Sequence, residues 1–191
     1  MLYFYHMETT SLFAEQLNHY LSLATIIGGI AIVIFAGLVT YYALTNKKNK
    51  FLGMVSGYVL PLGFLTTLFG TFLTLYYEYG LQYLPCDLCW YQRIFLYPQV
   101  FMFAYAWYKK DTGILPYTFI LSVVGLIIAI YHHMLQIGFD LYKPCSTALF
   151  AVSCAKPSFV EFGFVTFPFM AVVLFGFLSV VVVCAIRFNN K

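Results

Sequence analysis

The sequence predicts an all-α protein built from membrane-crossing helices. Three observations carry this. Of 191 residues, 62% are hydrophobic and only 9% are charged, whereas a soluble domain usually carries about 25% charged residues. The apolar residues fall in five continuous runs, not in the strict alternation of a membrane β-barrel. The few charges gather between those runs, which places the chain in the membrane class before any motif is read. The formal net charge of +3 does not point to nucleic acid, because the basic residues form no stripe.

Each run predicts one crossing helix. The first extends from Leu21 to Leu44 and ends at Lys47, Lys48 and Lys50. The second extends from Val55 to Tyr77 and ends near Glu78. The third, from Leu88 to Trp107, is the shortest; its helix is expected to begin within a cysteine motif. The fourth extends from Leu115 to Ile137, with Pro116 at an early helical position that suits it. The fifth extends from Phe162 to Ile186 and stops before Arg187. At about 1.5 Å per residue, most of these runs cross ~30 Å of hydrocarbon. Pro61, Pro98 and Pro168 lie inside the runs, where membrane helices tolerate proline. Residues 1–20 carry Glu8 and Glu15 but no lysine or arginine, so the first run is expected to remain as a helix and not to act as a cleaved leader.

Orientation follows from the basic residues. With the Lys47–Lys50 loop cytoplasmic, alternation puts Lys109, Lys110, Arg187 and Lys191 on the same side, seven of the ten basic residues. Arg93, Lys143 and Lys156 remain outside. The positive-inside rule therefore predicts an outer N-terminus and a cytoplasmic C-terminus.

Four of the five cysteines then fall in the outer connections. Cys86 and Cys89 form Pro-Cys-Asp-Leu-Cys-Trp, and Cys145 and Cys154 lie between the fourth and fifth runs. Disulfides persist on the outer side. A Cys-x-x-Cys at a helix start places sulfur beside unsatisfied N–H groups that favour thiolate, the species that attacks and leaves in exchange. Two structural disulfides, thiol exchange and a four-thiolate zinc site all fit the spacing. Haem attachment does not, because Trp90 and not histidine follows Cys89. Cys184, deep in the fifth run, reads as a small packing residue.

Polar residues near the outer ends add candidates. Arg93 lies one helical turn beyond Cys89, where its forked donors suit a quinone carbonyl, a lipid phosphate or Glu78. Gln92 is a weaker candidate. His132 and His133 diverge by about 100° on a helix, so one at most faces such a site. Either can donate to a carbonyl, relay a proton or bridge helices. His6 and His19 have no supporting context.

The string Cys86-Asp-Leu-Cys-Trp-Tyr-Gln-Arg-Ile-Phe-Leu-Tyr-Pro98 resembles the bacterial disulfide bond formation protein B family (DsbB-like), in its short-loop BdbC branch. Tyr131-His-His-Met-Leu-Gln136, Pro144-Cys145 with Cys154, and Gly163-Phe-Val-Thr-Phe-Pro168 are similar to the family's later segments. The resemblance covers residues 55–187 and implies a four-helix membrane bundle over 51–191. Residues 1–50 then add an N-terminal tail, an extra transmembrane helix and a basic loop, making five crossings in total. The resemblance further implies a thiol:quinone oxidoreductase of the bacterial cytoplasmic membrane, which reoxidises an extracytoplasmic thioredoxin-like (DsbA-like) thiol oxidase and reduces ubiquinone or menaquinone. By position in the motifs, Cys86 and Cys89 correspond to the pair beside the quinone, and Cys145 and Cys154 to the pair that meets the partner. Arg93 and His132 correspond to quinone-site residues, His132 more securely than His133. Two departures are the extra helix and the short second cysteine loop. Competing readings are a reductase of the vitamin K epoxide reductase type, and a non-catalytic membrane subunit with stapled outer loops.

Overall fold

The computed structural model describes residues 2–45, 49–139 and 153–188, with side chains from residue 12 onward. Six α-helices account for most of the described residues: α1 Leu2–Thr45, α2 Lys50–Gly57, α3 Val59–Leu75, α4 Asp87–Lys109, α5 Leu115–Gln136 and α6 Phe167–Phe188. α3 runs on into a π-helical turn, Tyr76–Gly80.

Local chemistry explains the element ends. Asn49 caps α2, its side-chain oxygen accepting from Phe51 N at 2.8 Å. The second apolar run is broken at Tyr58, because Pro61 has no N–H to give the carbonyl four residues back, that of Gly57. α4 begins inside the cysteine motif as expected, with Cys86 at its N-cap and Asp87 in its first turn. Its C-terminus closes on Lys110 in the left-handed conformation. Pro116 stands at the start of α5. Pro168 falls in the first turn of α6 and not in a helix interior. Before it, Glu161 and Val165 close a turn around Gly163, whose φ of 79° suits glycine. The fifth helix therefore starts at Phe167, not at Phe162.

The expectation of five crossing helices is not met. Among the described residues, four segments are long and apolar enough to cross a membrane: Leu12–Thr45, Val59–Gly80, Leu115–Gln136 and Phe167–Phe188. α4 is the one that falls short. Its 23 residues suffice in length, but Gln92, Arg93, Gln99 and a series of tyrosines and tryptophans dilute its apolar character. The physical reason is that α4 turns its polar groups inward: Gln92, Arg93 and Gln99 are all buried. A helix whose polar face is satisfied by its neighbours is poorly read by composition.

α4 packs against α3 and α5, and α5 against α6, while α1 and α2 lie along α6. The main core gathers Val59, Leu60, Leu96, Phe103, Ala129 and Phe175 with further residues of α6. Small residues let these helices approach closely. A Cβ added to Gly63 would stand 2.6 Å from the buried Phe103 ring, and one added to Gly125 would stand 2.5 Å from Phe175. Cys184 is fully buried beside Val39 and Leu52 and packs as the sequence suggests.

Gly63→Val and Gly125→Val should each lower stability by about 1–3 kcal/mol through overpacking. Gly37→Val, which meets nothing within 4 Å, serves as the control. Thermal unfolding in detergent micelles checks this.

Candidate redox site

The Cys-x-x-Cys turn folds Cys86 and Cys89 onto each other because the helix starts between them, at Asp87. Their sulfurs are 3.3 Å apart. Cys86 is buried and Cys89 half-buried, both as thiols. Cys154 is buried against the same cluster, with Leu88 and Leu135. The structure thus brings three of the four predicted cysteines together. Cys145 lies outside the described residues.

Both thiols feel each other first. The hydrogen bond with Cys89, followed by burial, pushes the Cys86 thiol up to about 12, with His132 opposing. The same bond lowers Cys89; burial opposes this, and the backbone of Cys86 and the Arg93 charge reinforce it. Cys89 is therefore the better thiolate, placed in the first turn of α4 where free N–H groups and the helix dipole favour negative charge.

His132 is fully buried and faces the sulfurs, with Nε2 3.5 Å from Cys86 Sγ. Gln92 Nε2 approaches its Nδ1 at 3.1 Å, and Gln136 Nε2 approaches its Nε2 at 3.3 Å. A neutral imidazole has one N–H and one lone pair, so both amides cannot donate. Gln136 Nε2 also donates to Cys154 O at 3.4 Å. His133 points elsewhere, to Thr166 Oγ1 at 3.1 Å and onto the Phe169 ring.

Arg93 is only 7% exposed. One guanidinium nitrogen donates to Glu78 and the other to Thr74 O at 3.1 Å. Its guanidinium also lies 5.1 Å from the centre of the Trp90 ring. The π-helical turn that carries Glu78 adds a residue to the last turn of α3, a feature common at functional sites. Sequence reasoning named Glu78 only as one partner for Arg93; an acid beside an apolar run, near a buried arginine, is the signal that singles it out. His19, which lacked context in the sequence, has Nδ1 3.6 Å from the Glu161 carboxylate and its ring against Phe162.

Cys89, Gln92 and Arg93 share a cavity of about 160 Å³, walled mainly by apolar side chains such as Leu73, Leu96 and Leu174, with Thr74, Tyr77, Tyr83 and Ser158 also at its edge. The donor set fits a quinone. Arg93 has five N–H groups, of which two contacts engage only part, and the walls suit an apolar ring. Cys86, Cys89 and His132 also place three ligand atoms within 4.8 Å of one another, one short of a closed tetrahedral zinc set.

The family model for disulfide bond formation protein DsbB matches residues 56–185. The chain belongs to the DsbB family. It is 40% identical over 124 residues to the SPbeta prophage-derived disulfide bond formation protein B of Bacillus subtilis, covering 65% of this chain and 82% of that protein. It is 32% identical over 142 residues to disulfide bond formation protein C of the same organism, covering 73% and 96%. A probable disulfide formation protein of Coxiella burnetii is 31% identical over 140 residues, covering 72% and 94%. No solved structure matches significantly. Family and geometry together support an oxidoreductase role in general terms, in a membrane protein of several apolar spans.

The two thiols should alkylate unequally. Because Cys89 is lowered, its thiolate appears at lower pH, so its rate should rise below the ordinary cysteine value of about 8.5. Cys86 should lag until strongly alkaline pH. Mass-spectrometric mapping of iodoacetamide labelling against pH checks the order.

Proposed function

We propose that this protein is a thiol:quinone oxidoreductase that reoxidises an extracytoplasmic thioredoxin-like thiol oxidase. One observation carries the reading: the Cys89 thiol and the Arg93 guanidinium line the same apolar cavity. A thiolate of the reduced partner attacks the Cys145–Cys154 disulfide, and the partner's second thiolate then displaces the mixed disulfide. The partner leaves oxidised, and Cys145 and Cys154 are left as a dithiol. That dithiol reduces a Cys86–Cys89 disulfide by the same exchange, across the short gap implied by the packing of Cys154 against Cys86. A bound quinone, ubiquinone or menaquinone, supplies the two-electron, two-proton sink. Cys86 and Cys89 give up two electrons and two protons and return to the disulfide. Arg93 orients a carbonyl oxygen and balances negative charge arriving there. Glu78 and Thr74 hold the guanidinium in place. His132, with Nε2 3.5 Å from Cys86 Sγ, is the hydrogen-bonding partner of that sulfur.

The cysteines face the extracytoplasmic side in this reading. Cys86, Cys89 and Cys154 gather at one end of the helices. Arg187 ends α6 and donates to Ala43 O near the end of α1. The positive-inside rule makes that the cytoplasmic end. The start of α1, with His19 near Glu161, then lies outside.

Arg93→Met should raise the apparent KM for quinone by about tenfold or more, the scale of a lost charge-assisted hydrogen bond. The Cys86–Cys89 and Cys145–Cys154 pairs should still form disulfides. Steady-state quinone reduction, with thiol trapping by mass, measures both. An unchanged KM would remove Arg93 from the site.

A further inference from the structure

The family match begins at residue 56, so it leaves α1 outside. Yet α1 reaches the redox cavity. The Tyr77 hydroxyl donates to Asn18 Oδ1 at 2.6 Å, a buried bond between α1 and the π-helical turn. One turn on, Leu21 lines the cavity that holds Cys89 and Arg93.

Beyond Leu21, α1 follows α6 but stands off α3. The space between them is a second cavity of about 690 Å³. Ala24, Gly28, Ile32 and Phe35 form its α1 wall, facing Phe69 of α3 and Phe177 of α6. Its lining is almost wholly hydrocarbon; Thr25 turns its hydroxyl back to Leu21 O at 2.7 Å. Leu21, Leu73, Met170 and Leu174 border both cavities, so the two adjoin across these side chains. The α1 wall runs from Leu21 to Phe35, about 21 Å at 1.5 Å per residue.

We propose that α1 forms one wall of a channel that takes the isoprenoid tail of a lipid quinone whose ring lies at Cys89 and Arg93. This rests on the quinone reading above. A cleft with donors and a thiol at one end, and lined beyond them almost wholly by hydrocarbon, matches a molecule with a polar ring and a long apolar tail. A phospholipid would bring its charged headgroup to the ring end, where Arg93 is already paired with Glu78. The Asn18–Tyr77 bond registers α1 against the ring end, so the added helix makes the site selective for tailed quinones over tail-less ones.

Gly28→Leu is the informative variant. A Cβ there meets only Val173 Cγ1 at 3.9 Å, an ordinary contact, so the leucine can extend into the channel. Gly37→Leu, with nothing within 4 Å and outside the channel lining, is the control. The full-length protein in micelles is titrated with a long-tailed and a tail-less quinone. It is also photolabelled with a quinone carrying a diazirine on its tail, and the label is mapped by mass spectrometry. Label should fall on residues 21–35 of α1. Gly28→Leu should weaken the long-tailed quinone by about tenfold, through lost apolar contact, and leave the tail-less one and the control unchanged. Label on other helices alone, protection of α1 by phospholipid and not by unlabelled quinone, or equal effects on both quinones would overturn the channel while leaving the redox reading standing. Failure of the wild-type protein to bind either quinone would overturn both.

Discussion

The structure turns on a buried arginine. Arg93 is a charged side chain enclosed in the bundle, and a lone cation there is costly. The chain meets this cost with a carboxylate from the preceding helix and a backbone carbonyl one turn earlier. Both partners come from the end of α3, so the ion pair fixes how α3 and α4 meet. That in turn sets where α4 begins and where its two cysteines stand. The π-helical turn at Tyr76–Gly80 belongs to the same arrangement, because it carries both Glu78 toward Arg93 and Tyr77 toward α1.

Around this pair the site separates into two environments. On one side of α4, Gln92, His132 and Gln136 form a polar chain that ends at Cys86. On the other, Arg93 and Cys89 look into an apolar cavity. The two sulfurs thus differ in more than sequence position. Cys86 is held by hydrogen bonds and burial in its neutral form, while Cys89 is the sulfur that gains from the helix start and the nearby guanidinium. A dithiol divided in this way is chemically unequal, with the readier thiolate, Cys89, on the cavity.

Much of this was legible in the sequence. Continuous apolar runs marked the all-α membrane class, and the helix start inside Cys86–Cys89 followed from the motif itself. Arg93 one turn beyond Cys89 stood out as a cation beside apolar residues. His132 was preferred over His133 on the match to the family motif, and the structure sets the two rings on different neighbours. Other features were not legible, for physical reasons. α4 was taken for a crossing helix like the rest, although its polar side chains lower its apolar character; burial of those side chains is a tertiary fact. The break at Tyr58 depended on a carbonyl that Pro61 leaves without its donor, and no periodicity registers that. α1 begins at Leu2, far before its apolar run, and just ahead of that run Asn18 and His19 find partners on the bundle. Contacts between distant segments of this kind leave no local pattern.

The most direct test is stoichiometric. Under anaerobic conditions, the purified full-length protein is mixed with a reduced thioredoxin-like partner and a quinone. Disulfide formed on the partner and quinol formed are then measured together. With partner and quinone in excess over the protein, the account predicts one partner disulfide for each quinol, as a two-electron couple requires, and on Cys89→Ala no quinol and no more than one partner disulfide per protein. Partner oxidation beyond that without quinol, or quinol formation that survives Cys89→Ala, would contradict it.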